Sequence, residues 1–590
     1  MTQDPSAIGP NATGPKATGP AARPGPVLQI RNLDVSFATD AGPVAAVRGV
    51  SLDVRPGEVL AVVGESGSGK TVTAKSVLGL LPETATCSGA VVVNGHDVVG
   101  LTRRELRALR GRDVAMVFQE PSTALNPVFT VGWQIAEGLR AHRGRDGKRI
   151  SRREARERAV DALRKVGIPE PEKRVDHYPH QFSGGQKQRI VIAAALALDT
   201  GLIVADEPTT ALDVTVQAEI LELLRDLRDL YGTSIVLITH NMGVVADLAD
   251  RVVVMYQGEV VEEAPVRTLF AEPREDYTRR LLAAVPHLGR NSASAGATAR
   301  MHDGGEVLVR AENLGIVYPG RLGSPAYRAV EDVSFTVSAG EVFGLVGESG
   351  SGKTTIGRAI AGLTRATGGS LTVLGHEMVG FRERSFRPLR KDIGFVFQDP
   401  AASFNPQLTI GECIAEPLHV HLGLAPHEVR RRVGGLLESV QLPASYAARY
   451  PHELSGGQRQ RASLARALAL EPRLVIADEP TSALDVSVQA RVLELFRGIQ
   501  AELGFAALFI SHDLAVVDEL SHWVGVLYRG RLVEQGVGSQ VMGAPRHEYT
   551  KRLIASLPVP DPAEQEQRRK AHRALAVGTY TGAHDRAAPQ

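Results

Sequence analysis

One octapeptide, Gly-Glu-Ser-Gly-Ser-Gly-Lys-Thr, occurs twice in the chain, at residues 64–71 and again at 347–354. It fits the pattern G-x-x-x-x-G-K-[ST], whose glycines let the backbone curl so that successive N–H groups face an anion. An apolar run precedes each copy, at 59–63 and 342–346, and a helical pattern over 71–81 follows the first. Strand, glycine loop and helix are the context that this motif requires. The sequence therefore predicts two phosphate-binding loops.

Each residue of the two octapeptides is a candidate ligand of a nucleoside triphosphate. The N-terminus of the following helix adds its positive end to the site. The lysine should reach the β- and γ-phosphates, and the threonine hydroxyl should hold Mg²⁺. The two sets are Gly64, Glu65, Ser66, Gly67, Ser68, Gly69, Lys70 and Thr71, and Gly347, Glu348, Ser349, Gly350, Ser351, Gly352, Lys353 and Thr354.

The two loops belong to a long internal repeat. Lys353 follows Lys70 by 283 positions, and from Ser183 to Tyr277 the offset to the second copy is constant at 272. A constant offset over such a stretch indicates a duplicated domain. We predict one domain at 27–286 and a second at 306–560.

The segments outside the repeat have a different composition. Residues 1–26 contain repeated Thr-Gly-Pro and predict a disordered tail. Residues 287–305 are rich in Ser, Ala, Gly and Thr, which is typical of a flexible linker. Residues 561–590 are charged and then small and polar, so we expect a tail that starts as a helix and ends disordered.

Composition limits the class of protein. The formal net charge of the 590 residues is +1, which gives no general reason to expect a nucleic-acid partner. The two cysteines, Cys87 and Cys413, are too few for a disulfide scaffold or for a cysteine-based metal cluster within this chain. No apolar run approaches 18 residues and no signal-peptide pattern opens the chain, so we expect no membrane-spanning helix.

Short apolar runs that end in an acidic pair predict buried strands in each half. They occupy 202–206 and 474–478, and each delivers an aspartate to its C-terminal end. Helical segments alternate with these strands and with further strands at 235–239 and 507–511. Alternation of strands and helices predicts the α/β class.

One further motif occurs once in each half and identifies a family. It reads Phe-Ser-Gly-Gly-Gln at 182–186 and Leu-Ser-Gly-Gly-Gln at 454–458, and each copy stands between a glutamine and the acidic strand. Together with the glycine loops, this motif resembles the signature of the ABC (ATP-binding cassette) ATPases, whose usual first residue is Leu. The resemblance covers nearly the whole chain outside the tails and the linker. It implies two P-loop NTPase domains in tandem, each with a mixed central sheet, an antiparallel β subdomain and a helical signature subdomain.

The resemblance also implies a role for each matching residue. Glu207 and Glu479 would act as general bases, Gln119 and Gln398 would contact metal and water, and His240 and His512 would contact the γ-phosphate. The Mg²⁺ ligands would be Thr71, Gln119, Asp206, Thr354, Gln398 and Asp478. The signature residues that contact nucleotide would be Ser183, Gly184, Gly185, Gln186, Ser455, Gly456, Gly457 and Gln458.

In this family the signature acts on the nucleotide held by the opposite domain. The resemblance therefore implies two composite ATP sites, in which the halves meet head to tail and Lys70 shares one ATP with Ser455 and Gly457. Asp213 and Asp485 would cross the interface. Both sets of motifs are intact, so we predict two hydrolytic sites.

Two groups of residues keep an alternative interpretation. Phe37 and Tyr318 stand where the family stacks an aromatic ring on adenine, but core packing would also explain them. The charged runs at 103–112 and 143–158 fit a solvated helix face, or else contact with lipid headgroups or an acidic loop of a partner.

Within the family, two local features resemble the ATPases of dipeptide, oligopeptide and nickel importers. The first is Gln-Glu-Pro-Ser-Thr-Ala-Leu-Asn-Pro at 119–127, with its counterpart at 398–406. The second is Tyr-Thr-Arg-Arg-Leu-Leu at 277–282, with its counterpart at 549–554, although the usual His-Pro before the Tyr is missing. The resemblance implies a peripheral subunit on the cytoplasmic face of the membrane, with two permease subunits and, indirectly, an extracytoplasmic binding protein.

Peptides are the cargo that this resemblance favours, and nickel, glutathione and sugars stay open as alternatives. A non-transport ATPase that acts on ribosomes or DNA is the other functional class. The short linker, the missing zinc cysteines and the neutral net charge argue against that class.

Overall fold

The structure of the protein is a computed structural model, which describes residues 25–39, 42–142, 150–210, 212–286, 288, 305–320, 325–482 and 484–570. Most of the predicted N-terminal tail, most of the linker and the end of the C-terminal tail lie outside these residues. In the described part of the C-terminal tail, residues 562–570 form a helix, as the sequence predicts.

In the part of the chain that the structure describes, each half contains ten strands in two sheets. In the first half they are β1 Leu28–Thr39, β2 Gly42–Val54, β3 Val59–Val63, β4 Ala85–Val93, β5 His96–Asp97, β6 Val114–Val117, β7 Leu202–Asp206, β8 Ser234–Ile238, β9 Arg251–Tyr256 and β10 Glu259–Pro265. In the second they are β11 Val307–Tyr318, β12 Tyr327–Ser338, β13 Val342–Val346, β14 Gly368–Val373, β15 His376–Glu377, β16 Ile393–Val396, β17 Leu474–Asp478, β18 Ala506–Ser511, β19 Trp523–Tyr528 and β20 Arg531–Val537.

Helices cover and connect these strands. In the first half they are α1 Lys70–Val77, α2 Arg103–Leu109, α3 Pro121–Ala124, α4 Val131–Ala141, α5 Arg152–Lys165, α6 Pro171–Arg174, α7 Gly184–Ala197, α8 Val214–Tyr231, α9 Met242–Leu248, α10 Val266–Ala271 and α11 Asp276–Ala283. In the second they are α12 Lys353–Ile360, α13 Glu383–Phe386, α14 Pro400–Ser403, α15 Ile410–Leu422, α16 Pro426–Ser439, α17 Gly456–Leu468, α18 Val486–Leu503, α19 Leu514–Leu520, α20 Gly538–Gly543, α21 Glu548–Ala555 and α22 at 562–570.

The two halves share one sheet topology. The first has a four-stranded antiparallel sheet, β2-β1-β4-β5, and a six-stranded sheet, β10-β9-β3-β8-β7-β6. The second repeats both orders as β12-β11-β14-β15 and β20-β19-β13-β18-β17-β16. In each large sheet the outermost pair, β9 with β10 or β19 with β20, is antiparallel and the other pairs are parallel. The predicted fold class is therefore confirmed.

Strand β3 shows why the core forms where it does. All five of its residues are buried, and the strand lies between two parallel neighbours, β8 and β9. Leu60 and Val62 pack into the apolar cluster shared with the antiparallel sheet, whereas Ala61 and Val63 face the cluster under α9 and α11. Alternation of side chains between two buried faces explains the uninterrupted apolar run that marks this strand in the sequence.

Each half places one valine in an apolar cluster of the other half. Val214, at the start of α8 in the first half, belongs to an apolar cluster built almost entirely from the second half. Val486, at the start of α18 in the second half, belongs in turn to a cluster of the first half. One valine of each half is thus buried in an apolar cluster of the other half.

Candidate functional site

The first phosphate loop joins β3 to α1, and its shape depends on two glycines with positive φ. Gly64 has φ 148°, and a Cβ there would lie 2.1 Å from the carbonyl oxygen of Met255. Gly69 has φ 96°, and a Cβ there would lie 2.6 Å from the carbonyl oxygen of Ala46. No side chain fits at either position, so the glycines allow the loop to pack closely against β9, which carries Met255, and against β2, which carries Ala46. Gly347 and Gly352 repeat this arrangement in the second half.

The lysine of each loop is buried and folds back over the loop. Lys70 Nζ donates hydrogen bonds to the carbonyl oxygens of Gly64 and Glu65, both at 2.8 Å. Lys353 Nζ donates to the corresponding carbonyls of Gly347 and Glu348, at 2.7 and 2.9 Å. Burial lowers the pKa of both lysines, while nearby carboxylates, Glu207 and Glu479 first among them, oppose that change. The two ammonium groups thus sit beside the loops on which a triphosphate would rest.

The threonine that follows each lysine contacts the aspartate at the end of the acidic strand. Thr71 Oγ1 donates to Asp206 Oδ1 at 3.1 Å, and Thr354 Oγ1 donates to Asp478 Oδ1 at 2.9 Å. Burial raises the pKa of both aspartates, although these hydrogen bonds oppose the shift. A hydroxyl beside one carboxylate fits Mg²⁺, which takes few protein oxygens and completes its shell with phosphates and water.

The glutamate next to that aspartate is held by three side chains in the first half. Gln119 Nε2 and Thr210 Oγ1 donate to Glu207 Oε2 at 2.8 and 2.9 Å, and His240 Nδ1 lies 3.0 Å from Glu207 Oε1. In the second half, Gln398 and His512 contact Glu479 at 3.1 Å each.

Both glutamates favour the ionised form. Burial raises the pKa of Glu207 and Glu479, but the hydrogen bond and the charge of the neighbouring histidine outweigh burial and lower the pKa of each. Both residues also have φ 48°, a left-handed conformation that is uncommon for glutamate. Strain of this kind concentrates at functional sites, so its occurrence at both predicted general bases is informative.

The signature motifs start long helices. Ser183 and Ser455 cap α7 and α17, and the hydroxyl of each accepts a hydrogen bond from the N–H of Gln186 or Gln458. The side chains of Gln186 and Gln458 in turn accept a hydrogen bond from the N–H of the serine, which completes a capping box. Both serines, together with Gly184 and Gly456, are exposed.

Each phosphate loop is contacted by the aspartate of the opposite half. The N–H of Ser66 donates to Asp485 Oδ2 at 3.3 Å, and the N–H of Ser349 donates to Asp213 Oδ1. A second pair of contacts is equally reciprocal: Ser487 Oγ donates to Glu65 Oε1 at 2.5 Å, and Thr215 Oγ1 donates to Glu348 Oε1 at 2.7 Å.

A cavity of about 620 Å³ lies between the halves and joins the two sets of residues. Its lining includes Lys70, Thr71, Gln119, Glu207, His240, Gln398, Glu479, Asp485 and His512. Within the described part of the chain, the signature serines do not line this cavity. The structure thus brings the loop, acidic-strand and histidine residues together with the opposite aspartate, and it leaves the signatures outside that space.

The two candidate adenine-stacking aromatics occupy different environments. Phe37 is half-buried against the apolar cluster of its own antiparallel sheet. Tyr318 is more exposed, and its hydroxyl lies 3.4 Å from Thr355 Oγ1, next to the second phosphate loop.

Sequence reasoning missed three hydroxyl residues at this site, Thr210, Thr215 and Ser487. Thr215 and Ser487 are related by the same offset of 272 residues that links the other motifs. Retention of a hydroxyl two positions after each interface aspartate was the signal that could have identified this pair.

Some features are absent from the described residues. No helix among them is both long and apolar enough to cross a membrane. They also contain no cluster of three or more His, Cys, Asp or Glu side chains arranged to hold a metal ion.

Two family models match the chain, each of them twice. The model described as "ABC transporter" matches residues 47–210 and 330–482. The model described as "Oligopeptide/dipeptide transporter, C-terminal region" matches residues 261–305 and 533–580.

Curated relatives match at nearly full length. Proteins named "Glutathione import ATP-binding protein GsiA" from Escherichia coli O157:H7 and from Shigella flexneri are each 45% identical over 575 residues, which is 92% of this chain and 92% of the relative. A solved dimeric structure of a bacterial ABC transporter cassette is 29% identical and covers 39% of this chain and 98% of its own, with a TM-score of 0.36. The chain therefore belongs to the ABC transporter family of ATPases, with two ATP-binding cassettes in one polypeptide.

Proposed function

We propose that this chain is the energy-coupling subunit of a membrane importer and hydrolyses ATP at two composite sites between its halves. One observation carries this proposal. Each phosphate loop binds the aspartate of the opposite half, Asp485 for the first loop and Asp213 for the second. The second half contacts the first loop, and the first half contacts the second loop. This reciprocity fits a pair of sites to which both halves contribute residues.

In the first composite site, Lys70 and the N–H groups of its loop would bind the β- and γ-phosphates. Ser455 and Gly457 would approach from the opposite half, and Lys353 would share the second ATP with Ser183 and Gly185 in the same way. Because the signature serines are exposed in this structure, we expect the halves to move closer when ATP binds. To invert a 1:99 population of closed and open forms, nucleotide must favour the closed form by roughly 5.5 kcal/mol.

Thr71 with Asp206, and Thr354 with Asp478, would hold Mg²⁺, and Gln119 and Gln398 could reach it. The ion neutralises charge on the β- and γ-phosphates. Glu207 and Glu479 would accept a proton from the attacking water, since both favour the carboxylate form. Gln119 and His240 fix the orientation of Glu207 through the contacts described above. The products are ADP and phosphate, and the departure of phosphate removes the contacts that close the interface.

The partners would be two permease subunits, which place this chain at the cytoplasmic face of the membrane. Exposed apolar side chains follow Gln119 closely in the chain: Val128, Phe129 and Trp133, with 69%, 38% and 43% of their surface exposed. The rings of Phe129 and Trp133 stack at 4.0 Å. Exposed aromatic clusters of this kind are typical of protein interfaces. An extracytoplasmic binding protein would deliver the cargo to the permeases.

The cargo class that we propose is short peptides. The reason is that the end of each cassette matches the family model for the C-terminal region of oligopeptide/dipeptide transporters. That observation also favours transport over a role on ribosomes or DNA. Glutathione is the second candidate, since the curated relatives are named for its import and it is itself a tripeptide.

Reconstitution tests the cargo. The chain is assembled in proteoliposomes with candidate permease subunits and a candidate binding protein from the same organism, and ATPase activity is measured with dipeptides, longer peptides, glutathione, nickel chelates or sugars. We expect stimulation by a peptide or by glutathione. Stimulation by nickel or sugar alone would contradict the proposed cargo, and ATPase activity that no permease alters would contradict the importer role.

A further inference from the structure

The tyrosine of each cassette's C-terminal helix touches the phosphate loop of its own half. Tyr277 lies in the first turn of α11, and its hydroxyl oxygen accepts a hydrogen bond of 3.0 Å from the N–H of Glu65. Tyr549 lies in the first turn of α21 and accepts the corresponding bond of 3.1 Å from the N–H of Glu348. Both helices fall in the regions that match the oligopeptide/dipeptide C-terminal model.

Two features of the surroundings are the same for both tyrosines. The first is a second tyrosine ring, tilted against it, at the end of the neighbouring strand: the ring centroids of Tyr277 and Tyr256 are 4.3 Å apart, and those of Tyr549 and Tyr528 are 4.1 Å apart. The second is a glutamate that accepts two backbone N–H groups just before the helix. Glu262 does this for Arg274 and Glu275, and Glu534 does it for Arg546 and His547.

Glu65 and Glu348 connect these tyrosines to the opposite half. The side chain of Glu65 accepts from Ser487, and the next N–H of the loop, that of Ser66, donates to Asp485. Glu348 and Ser349 make the same contacts with Thr215 and Asp213. Two successive N–H groups of each loop are therefore held by two different acceptors, one from its own C-terminal helix and one from the other half.

The hydroxyl of each tyrosine keeps its proton at cellular pH. Burial raises the pKa of Tyr277 to about 12, and the nearby Glu65 and Asp485 carboxylates contribute in the same direction. Burial likewise raises the pKa of Tyr549. A neutral phenol can accept from the loop N–H and brings no negative charge to a site that binds phosphates.

We propose that Tyr277 and Tyr549 are positioning residues for ATP: each fixes the first turn of its phosphate loop, so that the loop is ready for the triphosphate and its glutamate meets the other half. The C-terminal region thereby gains a role in nucleotide binding within its own cassette. The inference depends on the ATPase activity of the chain and is independent of which cargo is carried.

The test removes only the hydroxyls, in the double variant Tyr277→Phe with Tyr549→Phe of the full chain. The ring and its contact with the neighbouring tyrosine ring survive, but one acceptor of the loop is lost in each half. Since one hydrogen bond contributes a net factor of roughly three to ten in an equilibrium, we expect the KM for ATP to rise about three- to tenfold. We expect kcat to change less than twofold, because Glu207, His240 and their counterparts are untouched.

The matched control is Tyr256→Phe with Tyr528→Phe, which removes the hydroxyls from the other rings of the same two pairs. The Tyr256 hydroxyl contacts Gln257 on the surface and does not touch the loop. We expect the control to keep the wild-type KM. An unchanged KM in the first variant, or an equal change in both variants, would overturn the proposal. A fall in kcat without a rise in KM would also overturn it.

A double-mutant cycle tests the link to the opposite half. Ser487→Ala is made alone and together with Tyr277→Phe, and equilibrium binding of a fluorescent ATP analogue is measured without turnover. If Tyr277 positions Glu65 for Ser487, the second substitution should cost at least threefold less affinity once the first is present. Effects that multiply independently would show that the tyrosine does not act through the glutamate.

Discussion

Glu207 and Glu479 combine unfavourable backbone geometry with several hydrogen-bond partners. The left-handed φ of 48° costs free energy in each, and the surrounding hydrogen bonds hold the side chain despite that cost. The structure therefore keeps each carboxylate in one orientation and in its ionised form.

Removal of the two carboxylates should uncouple binding from hydrolysis. In Glu207→Gln with Glu479→Gln, the amide keeps the shape of the side chain but cannot take a proton from water. We expect ATP to bind with near wild-type affinity and kcat to fall by about 10²–10⁴, as measured by equilibrium nucleotide binding and steady-state phosphate release. Glu83→Gln, at an exposed surface ion pair, is the control and should leave kcat unchanged. Near-normal turnover in the double variant would refute the assignment of the general bases.

The Glu479–His512 pair should make stability depend on pH. Burial alone lowers the pKa of His512, but the hydrogen bond and charge of Glu479 outweigh it and raise the pKa. The contribution of His512 to the free energy of unfolding is therefore complete below its unfolded pKa of about 6.5, and it is lost as the pH rises through the pKa of the folded state. The pKa of Glu479 is lowered in the folded state. Its contribution to the free energy of unfolding is therefore complete above the unfolded pKa of about 4.3, and it is lost as the pH falls through the pKa of the folded state.

Thermal unfolding of His512→Asn measures this dependence. We expect the Tm difference between wild type and variant to be largest between about pH 4.3 and 6.5, and to shrink at higher pH. His427→Asn, on an exposed helical turn, should differ little from wild type at any pH. A Tm difference that grows above pH 8 would contradict the direction of the His512 shift.

Motif spacing located the site residues that belong to sequence motifs. It missed the residues that only folding brings next to them. Lys70, Asp206 and Glu207 stand at fixed positions relative to a glycine loop or a buried strand, so sequence alone locates them. Ser487 and Tyr277 contact Glu65 from 422 and 212 residues away in the chain, and neither belongs to a motif with a known phosphate-binding spacing.

The packing of the two signature helices, α7 and α17, depends on one glycine in the first turn of each. Gly184 and Gly185 are neighbours in the first turn of α7, but their surroundings differ. A Cβ on Gly185 would lie 2.5 Å from Cγ1 of Val216 on α8, whereas a Cβ on Gly184 would meet nothing within 4 Å. Gly457 is in the same position against Val488 of α18. These two glycines allow each signature helix to pack closely against the helix that follows the interface aspartate.

Alanine should therefore change the stability of the protein differently at the two neighbouring positions. We expect Gly185→Ala to destabilise the protein by about 1–3 kcal/mol through overpacking, and so to lower the Tm by several degrees. Gly184→Ala should be neutral or slightly stabilising, since alanine favours helix over glycine by roughly 0.5–1 kcal/mol. Calorimetry of both variants checks the difference, and equal Tm values would show that the Val216 contact is not restrictive.

Periodicity located several strands and helices, but it placed their ends less accurately. The predicted strands at 59–63, 202–206, 342–346 and 474–478 are confirmed at the same bounds. The helix predicted over 71–81 was too long, since α1 ends at Val77. Gly79 adopts φ 61° just beyond that end, a left-handed conformation that stops a helix and that apolar spacing does not reveal.

At the scale of the whole molecule, the halves are joined by more than the nucleotide sites. Helix α22, at 562–570 after the second cassette, lies against the first: Arg569 Nη1 donates to the carbonyl oxygen and to Oδ1 of Asp247, at 3.2 and 3.3 Å. The Pro558 carbonyl oxygen lies 2.5 Å from where a Cβ on Gly243 would stand. Composition predicted the helix, but its docking site depends on the arrangement of two distant domains.

The exchanged valines should hold the halves together without nucleotide. A protease site placed within residues 293–299 allows the chain to be cut between the cassettes, and size-exclusion chromatography then reports association. We expect the wild-type halves to elute together and those of Val214→Asp with Val486→Asp to separate, because an unpaired carboxylate is costly to bury. Val128→Asp with Val420→Asp, at positions 69% and 60% exposed, is the control and should behave as wild type. Co-elution of the charged variant would show that the valines are dispensable.

A single polypeptide with two non-identical halves also has a practical consequence for genetics. In a transporter driven by two identical copies of one ATPase, any substitution strikes both catalytic centres at once. In the proposed arrangement, each substitution would alter one of the two ATP sites in every molecule and leave the residues of the other site unchanged. The two centres can therefore be inactivated separately, and selection is equally free to let their duties diverge.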